Sequence, residues 1–300
     1  MVVSHTVRMS ALPFETNRLA TLLHKGAMAE SKSFEFAGQS VSNSYDTVLV
    51  PLLFEAWAER LLETLPPESS WSVLDLATGT GIVAEKIARR LAGAGSVVGV
   101  DVSAEMLALA KRRCSKYEKV AHFHQGPADS LPMVDGTVDA IYCQQGFQFF
   151  PDKHAAAREM RRVLRPDGKV AVSAWCPVEQ CDLFGLICSA LRQCDEAEIA
   201  QMMALPFDHM PADQLADCFS DAGFGNVEIE TCTMPLVFPD GVEQAMGAVF
   251  ATPIGPRLAA LPPDKQARFR DLVLGELEKL IGNGPSAGTM TSLVLTAERA

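Results

Sequence analysis

The apolar positions of this chain change their period in a regular way, and the changes divide it into elements. Val73, Leu74 and Leu76 form a short apolar run that a turn containing Gly79 and Gly81 closes, which is how a buried parallel strand reads. Directly after it Ile82, Val83, Ile87 and Leu91 recur at helical spacing, with Glu85, Lys86, Arg89 and Arg90 between them. The prediction is therefore strand, tight turn, helix. The alternation continues with strands near 72–77, 96–101, 120–125, 137–143 and 168–175 and helices near 81–92, 103–117 and 152–164. Such alternation implies an α/β fold with a parallel sheet covered on both faces and a ligand crevice at the carboxyl ends of the strands. Asp75, Asp101 and the Cys143-Gln144 step all fall at predicted strand ends, so they can converge on one crevice.

The flanks are less regular. Upstream, Leu19, Leu22 and Leu23 give one short helical pattern stopped by Gly26. Ser44 reads as the cap of a short helix beginning at Tyr45. Pro51 reads as the first turn of the next helix, with Leu53, Trp57, Leu61 and Leu65 at helical spacing up to Pro66-Pro67. Downstream come helical character over 183–191, a helix over 211–221 ended by Gly223, and a strand over 226–234. A long insertion, 239–288, holds a helix with Phe269, Val273, Leu277 and Leu280, and the β-rich run 289–296 follows.

Composition narrows the class. With 300 residues, of which 48% are hydrophobic, the chain can form one large or two small domains around a packed core. A net charge of −11 argues against nucleic acid as a partner, because a duplex demands a basic patch to displace its counterions. Lys111-Arg112-Arg113 and Arg161-Arg162 read as solvated helix faces. The eight cysteines include no C-x-x-C pair, and Cys176, Cys181, Cys188 and Cys194 are too irregularly spaced for structural zinc. They read as reduced thiols, and the cytoplasm is the expected location. No apolar run reaches membrane-spanning length. His122 and His124 share a strand face, but with no third ligand in view no metal is assigned.

The chemistry concentrates in SVLDLATGTG, residues 72–81. Gly79-x-Gly81-x-x-Ala84 fits the loose dinucleotide fingerprint, with Asp101 at about the distance of a ribose-binding acid. An NAD-dependent oxidoreductase is thus one reading. Asp75, four residues before the first glycine, favours another, because a carboxylate there suits a ligand carrying an ammonium group and repels a phosphate.

The whole string resembles motif I of the class I S-adenosylmethionine-dependent methyltransferases, and the resemblance extends over residues 70–176. SVVGVD (96–101) with DVSAEML (101–107), GPADSLP (126–132), VDAIYCQQGFQFFPD (138–152) and MRRVLRPDGKVAVSAW (160–175) are similar to that family's later motifs in order. The nearest flavour is the branch of the ubiquinone and menaquinone biosynthesis methyltransferases and small-molecule tailoring enzymes, which implies secondary metabolism as a setting. The resemblance implies a Rossmann-like three-layer sandwich with a seven-stranded, mostly parallel sheet whose last strand is antiparallel. It also implies an N-terminal helical extension and lid over 1–66 and a methyltransferase domain over 67–300. Within that domain the cofactor core is 70–176, and the late helical insertions 177–222 and 239–288 face the substrate.

The implied cofactor is S-adenosyl-L-methionine, leaving as S-adenosyl-L-homocysteine. By the same resemblance Asp75, Ala77, Thr78, Gly79 and Thr80 serve its aminoacid end, joined by Gln144 from the fourth strand. Asp101 takes the ribose hydroxyls, although a helix N-cap is the competing role for that acid. Val102, Met106 and Ala128 lie toward the adenine, and Tyr45 closes over the site. The adenine-side loop departs from the family in having Pro127, which offers no side-chain acceptor, so backbone near Ala128 is preferred to Asp129. Gln145, Phe147, Gln148 and Phe149 are the substrate candidates. Some relatives carry a histidine where Gln145 and Gln148 stand here, so no catalytic base is assigned, and His154 reads as a surface residue. The expected partner is a small-molecule methyl acceptor. A non-catalytic ligand-binding relative and a homodimer both stay open.

Overall fold

A computed structural model describes residues 39–208, 210–281 and 286–300. The pattern of Leu19, Leu22 and Leu23 lies outside the described residues. Seven strands form one sheet: β1 Ser72–Leu76, β2 Ser96–Asp101, β3 Ala121–Gln125, β4 Val138–Gln144, β5 Leu164–Trp175, β6 Phe224–Val237 and β7 Ser286–Arg299. Their spatial order is β3-β2-β1-β4-β5-β7-β6. β1 pairs in parallel with β2 on one side and β4 on the other, Asp75 lying opposite both Gly99 and Tyr142. The order reverses direction between β1 and β4, which is where an open α/β sheet leaves a crevice at its strand ends. β7 runs antiparallel to both β5 and β6, so the expected seven-stranded, mostly parallel sheet with an antiparallel last strand is present.

Helices cover both faces because their apolar stripes demand it. α3 (Ile82–Leu91) buries Val83, Ala84, Ile87, Ala88 and Leu91. α4 (Ala104–Arg113) buries Met106, Leu107, Leu109 and Ala110, and α5 (Lys153–Val163) buries Ala156, Ala157, Met160 and Val163. The predicted helix over 103–117 stops at Arg113, and a short tight turn, Ser115–Tyr117, completes it.

The N-terminal flank is a continuous helical rod. α1 (Gln39–Ser44) runs into a π-helical segment, Tyr45–Phe54, and that into α2 (Glu55–Thr64). Ser44 is therefore not a cap: its backbone is helical (φ −63, ψ −41) and its side chain caps nothing. Pro51 lies inside the π segment rather than at a helix start. Proline lacks an N–H and its ring crowds the carbonyl of the preceding turn, so a wider winding accommodates it where an α-helix would kink. The Glu55 N–H accordingly bonds the Val50 carbonyl, five residues back.

The late segments hold more helix than the periodicity predicts: α6 Asp182–Gln193, α7 Ala197–Ala204, α8 Ala212–Asp221, α9 Val242–Phe250, α10 Gly255–Ala259 and α11 Pro263–Ile281. Leu49, Leu53 and Trp57 of the rod share a core with Phe184, Ile187, Leu236, Phe238, Val249 and Phe269 from these insertions. That core is distinct from the two that sandwich the sheet. The expected solvated basic faces are also partly structural. Arg162 bonds Glu159, Asp135 and the Leu131 and Met133 carbonyls, and Arg161 bonds the Gly223 carbonyl.

Candidate functional site

The site starts from the turn that follows β1. Ala77, Gly79 and Gly81 all have positive φ (55, 53 and 85), a conformation that glycine adopts at no steric cost. At Gly81 a Cβ would come within 2.9 Å of the Ala110 Cβ, so the glycine also allows α3 and α4 to approach. At Gly79 nothing lies within 4 Å of the same position, which leaves open space against the turn.

Two carboxylates hold this turn. Asp75 is 1% exposed, and its Oδ2 accepts from Thr78 Oγ1 at 2.6 Å and from the Ala84 N–H at 3.0 Å. It thereby closes the turn and satisfies a free N–H at the start of α3. Burial pushes its carboxyl up to about 7 against the pull of those two donors, and the Asp101 charge adds to the rise. Asp101 accepts the Gly79 N–H on Oδ2 and the Ser103 N–H on Oδ1, both at 2.9 Å. Burial also raises its carboxyl, while backbone donors at Ser103, Gly79 and Val102 oppose the rise. The cap of α4 is Ser103, whose Oγ accepts the Met106 N–H at 3.2 Å, so Asp101 is left out of the capping role.

Beyond Asp101 the surface turns apolar. Val102 is 66% exposed, whereas Met106 and Ala128 are 4% and 8% exposed. The Val102 carbonyl is fixed by Gln125 Nε2 at 2.7 Å.

Across the crevice, β4 ends in two amides. Gln144 Nε2 donates to the Phe54 carbonyl of the rod at 2.8 Å. Gln145 sits at φ 52, with its Nε2 donating to Ser292 Oγ at 3.1 Å. Among the described residues three buried side-chain atoms have no hydrogen-bond partner: Thr80 Oγ1, Gln144 Oε1 and Gln145 Oε1. All three lie on the strand-end loops of β1 and β4, which touch where a Cβ on Gly146 would come within 2.5 Å of the Ala77 Cβ. Buried polar atoms are rarely left unpaired; Thr80 and Gln144 lie at the ends of the adjacent strands β1 and β4, whereas the Gln145 amide is turned toward Ser292 of β7.

The substrate candidates Phe147, Gln148 and Phe149 are placed differently from one another. Phe147 is 1% exposed and packs on Phe150 and Phe219 at 5.6 and 5.4 Å, so it belongs to the core beneath α5 and α8. Gln148 is a brace, donating to the Pro206 carbonyl and accepting the Trp175 N–H at 3.0 Å. Phe149 is 42% exposed. The short turn 147–149 is what rotates Phe147 inward.

A second group of rings packs at the end of β5, where Trp175, Phe184 and Phe207 are 4%, 5% and 6% exposed within the core shared by the rod and the insertions. Tyr45, Phe54, Trp175, Phe207 and Phe184 form a chain with centroid separations of 5.0, 6.4, 6.3 and 5.0 Å. Trp57 meets Trp175 edge-on at 5.2 Å. Burial and the Asp101 charge hold the Tyr45 phenol well above its ordinary range, so Tyr45 lies within electrostatic reach of Asp101. Phe54, Trp175, Phe184 and Phe207 were not singled out by the sequence reading; the clustering of rings in 45–57 and 175–207 was the available signal. Leu49, Leu53, Phe184, Ile187, Phe238 and Val249 pack together beside this chain of rings.

Ion pairs tie the rod to α3 and α4. Lys86 donates to Glu55 and Glu59 at 3.0 and 2.7 Å, and Arg90 to Glu59 at 2.5 Å. Arg113 reaches Asp46 of the rod at 2.5 Å, the Thr80 carbonyl at 2.9 Å and Glu85 at 3.4 Å. Among the described residues no group of three or more His, Cys, Asp or Glu could hold a metal ion. Nor is any described helix long and apolar enough to cross a membrane.

A family model described as a methyltransferase domain matches residues 73–168. The chain is 35% identical over 150 residues to the demethylmenaquinone methyltransferase of Thermus thermophilus, covering 49% of this chain and 67% of that protein. It is 28% identical over 212 residues to the demethylmenaquinone methyltransferase of Staphylococcus saprophyticus, covering 65% of this chain and 89% of that protein. Phosphoethanolamine N-methyltransferase 2 of Haemonchus contortus, solved in complex with S-adenosyl-L-methionine, shares the fold with a TM-score of 0.58 and 15% identity. That match covers 90% of this chain and 60% of that one.

Proposed function

Because the chain belongs to the class I S-adenosylmethionine-dependent methyltransferases, we propose that it methylates an oxygen, carbon or nitrogen of a small, partly apolar molecule built on a planar ring. S-adenosylmethionine is its cofactor, and the residues of the crevice fit that group. The unpartnered Gln144 amide oxygen suits an ammonium, the Asp101 carboxylate suits a diol, and exposed Val102 suits the face of a base. In this reading Asp75 acts through the turn, by fixing Thr78 and the start of α3, and the rod 39–64 is the lid.

The bound cofactor supplies an already activated methyl group on a sulfonium. The protein's part is to hold the acceptor in line and to exclude water, and such orientation contributes roughly 7–11 kcal/mol in well-aligned cases. The observation that carries the ring acceptor is the chain of five aromatic rings beside Gln144 at the end of β5. Offset and edge-on contacts with such rings favour a planar partner. The Tyr45 phenol stays protonated at neutral pH, so it can donate a hydrogen bond but not abstract a proton. An acceptor that ionises by itself, such as an acidic hydroxyl on a conjugated ring, suits that arrangement. Relatives named as demethylmenaquinone methyltransferases support a ring with an apolar tail.

The test is incubation with methyl-labelled S-adenosylmethionine and a panel of hydroxylated rings, with and without alkyl tails, beside hydrophilic amines. Label in the ring products and none in the amines is expected. Label only in the amines would refute the ring acceptor. Stabilisation by NADH and not by S-adenosylhomocysteine would revive the oxidoreductase reading.

A further inference from the structure

We propose that Gln144 is a two-ended coupling residue through which the aminoacid end of the cofactor and the helical rod stabilise each other. The argument rests on the cofactor reading above and goes beyond it to the rod. The Phe54 carbonyl can only accept a hydrogen bond, so the amide end that faces it at 2.8 Å must be Nε2. The orientation of the amide is thereby fixed, and Oε1 points the other way, buried and without a partner among the described residues. An ammonium donor arriving at Oε1 polarises the amide and strengthens its donation to Phe54.

Phe54 is the residue through which such a bond reaches the acceptor side. Its ring contacts Tyr45 at 5.0 Å and Trp175 at 6.4 Å, and its backbone lies at the junction of the π-helical segment and α2. A rod held at Phe54 completes the ring chain that receives the acceptor. Donor binding therefore preorganises the acceptor site, and the order of binding is donor first, acceptor second. Linkage makes the effect reciprocal, so a well-seated rod also tightens the donor. The spent donor keeps its aminoacid end and so keeps the rod seated until it leaves.

Hydrogen exchange of residues 45–64 tests this, with calorimetry on the same samples. S-adenosylhomocysteine should slow exchange of the rod at least about fivefold in the wild type, whereas 5′-methylthioadenosine, which lacks the aminoacid end, should leave it near the free protein. Gln144→Glu keeps an acceptor for the ammonium but loses the donor to Phe54. Its rod should exchange as in the free protein even when S-adenosylhomocysteine is saturating, and by the same reciprocity it should lose the rod's contribution of about fivefold to the affinity for that ligand. Equal protection by the two ligands, or full protection in Gln144→Glu, would overturn the coupling and leave the cofactor reading standing. Failure of the wild type to bind S-adenosylhomocysteine would overturn both. The two-ligand comparison needs no variant, so it stands even if Gln144→Glu misfolds.

Discussion

The two banks of the crevice are built on different physical terms. The bank proposed for the donor offers backbone and carboxylates drawn from one stretch of chain: the turn 77–81, with Asp75 just before it and Asp101 on the next strand. The bank proposed for the acceptor is made of rings assembled across the sequence, with Tyr45 and Phe54 from the rod and Trp175, Phe184 and Phe207 from the end of β5 and the insertion after it. Directed hydrogen bonds fix one ligand geometry, whereas apolar packing tolerates exchange of one ring or aliphatic group for another of similar volume. A fold built this way can keep its donor and change its acceptor. Gln144 and Arg113 stand where the banks meet, each holding the rod to a donor-side strand or turn.

The comparison can be broken most forcefully at Asp101. Asp101→Asn should weaken S-adenosylhomocysteine binding by about 30-fold or more, since bonds to a charged acceptor are worth about 1.5–3 kcal/mol each. Calorimetry measures it, and the melting temperature should fall much less. The matching change on the other bank is Trp175→Leu. It should lower kcat/KM for a ring acceptor by about tenfold or more and cost about 1–3 kcal/mol of stability by urea unfolding. Its affinity for S-adenosylhomocysteine should stay within about threefold of wild type; an equal loss on both banks would dissolve the distinction.

A smaller effect is expected at the junction. Arg113 and Asp46 have side chains 20% and 21% exposed, so solvent screens their pair and the cost of losing it is modest. Arg113→Gln should cost about 1–2 kcal/mol and raise the acceptor KM more than the donor Kd. The wild-type value should approach the variant's as salt increases.

The pH response of Asp75 probes the donor bank without a ligand. Its folded carboxyl holds a proton up to about 7, while the unfolded chain releases it near about 4. The folded state therefore binds more protons between those values. The stability this group contributes is fully present below the unfolded value and is lost as pH rises toward 7. Asp75→Asn keeps an oxygen for Thr78 and Ala84 and should flatten that slope, as urea midpoints at pH 5 and pH 8 would reveal. An unchanged slope would mean that other groups dominate it.

Legibility in the sequence follows the same division. Strand, turn and helix over 72–91 were readable because period, glycine and acid all act within twenty residues, and β7 was readable as a β-rich run after an insertion. The rod was misread at Ser44 and Pro51, since a cap residue and a proline signal a boundary only when the backbone leaves the helix, and here it widens instead. Phe147 sits in a motif that borders the crevice, yet one tight turn sends it into the core. The ring chain was not readable, because no local period relates residues 45, 54, 175, 184 and 207; only the folded sheet end brings them together.

A crystal structure with S-adenosylhomocysteine and a methylated ring product would show whether one crevice holds donor and acceptor on these two banks. The ribose hydroxyls should lie on Asp101, the ammonium on Gln144 Oε1, and the product ring against Phe54 and Trp175. A product ring bound away from Trp175, or a nucleoside whose ribose does not meet Asp101, would contradict it.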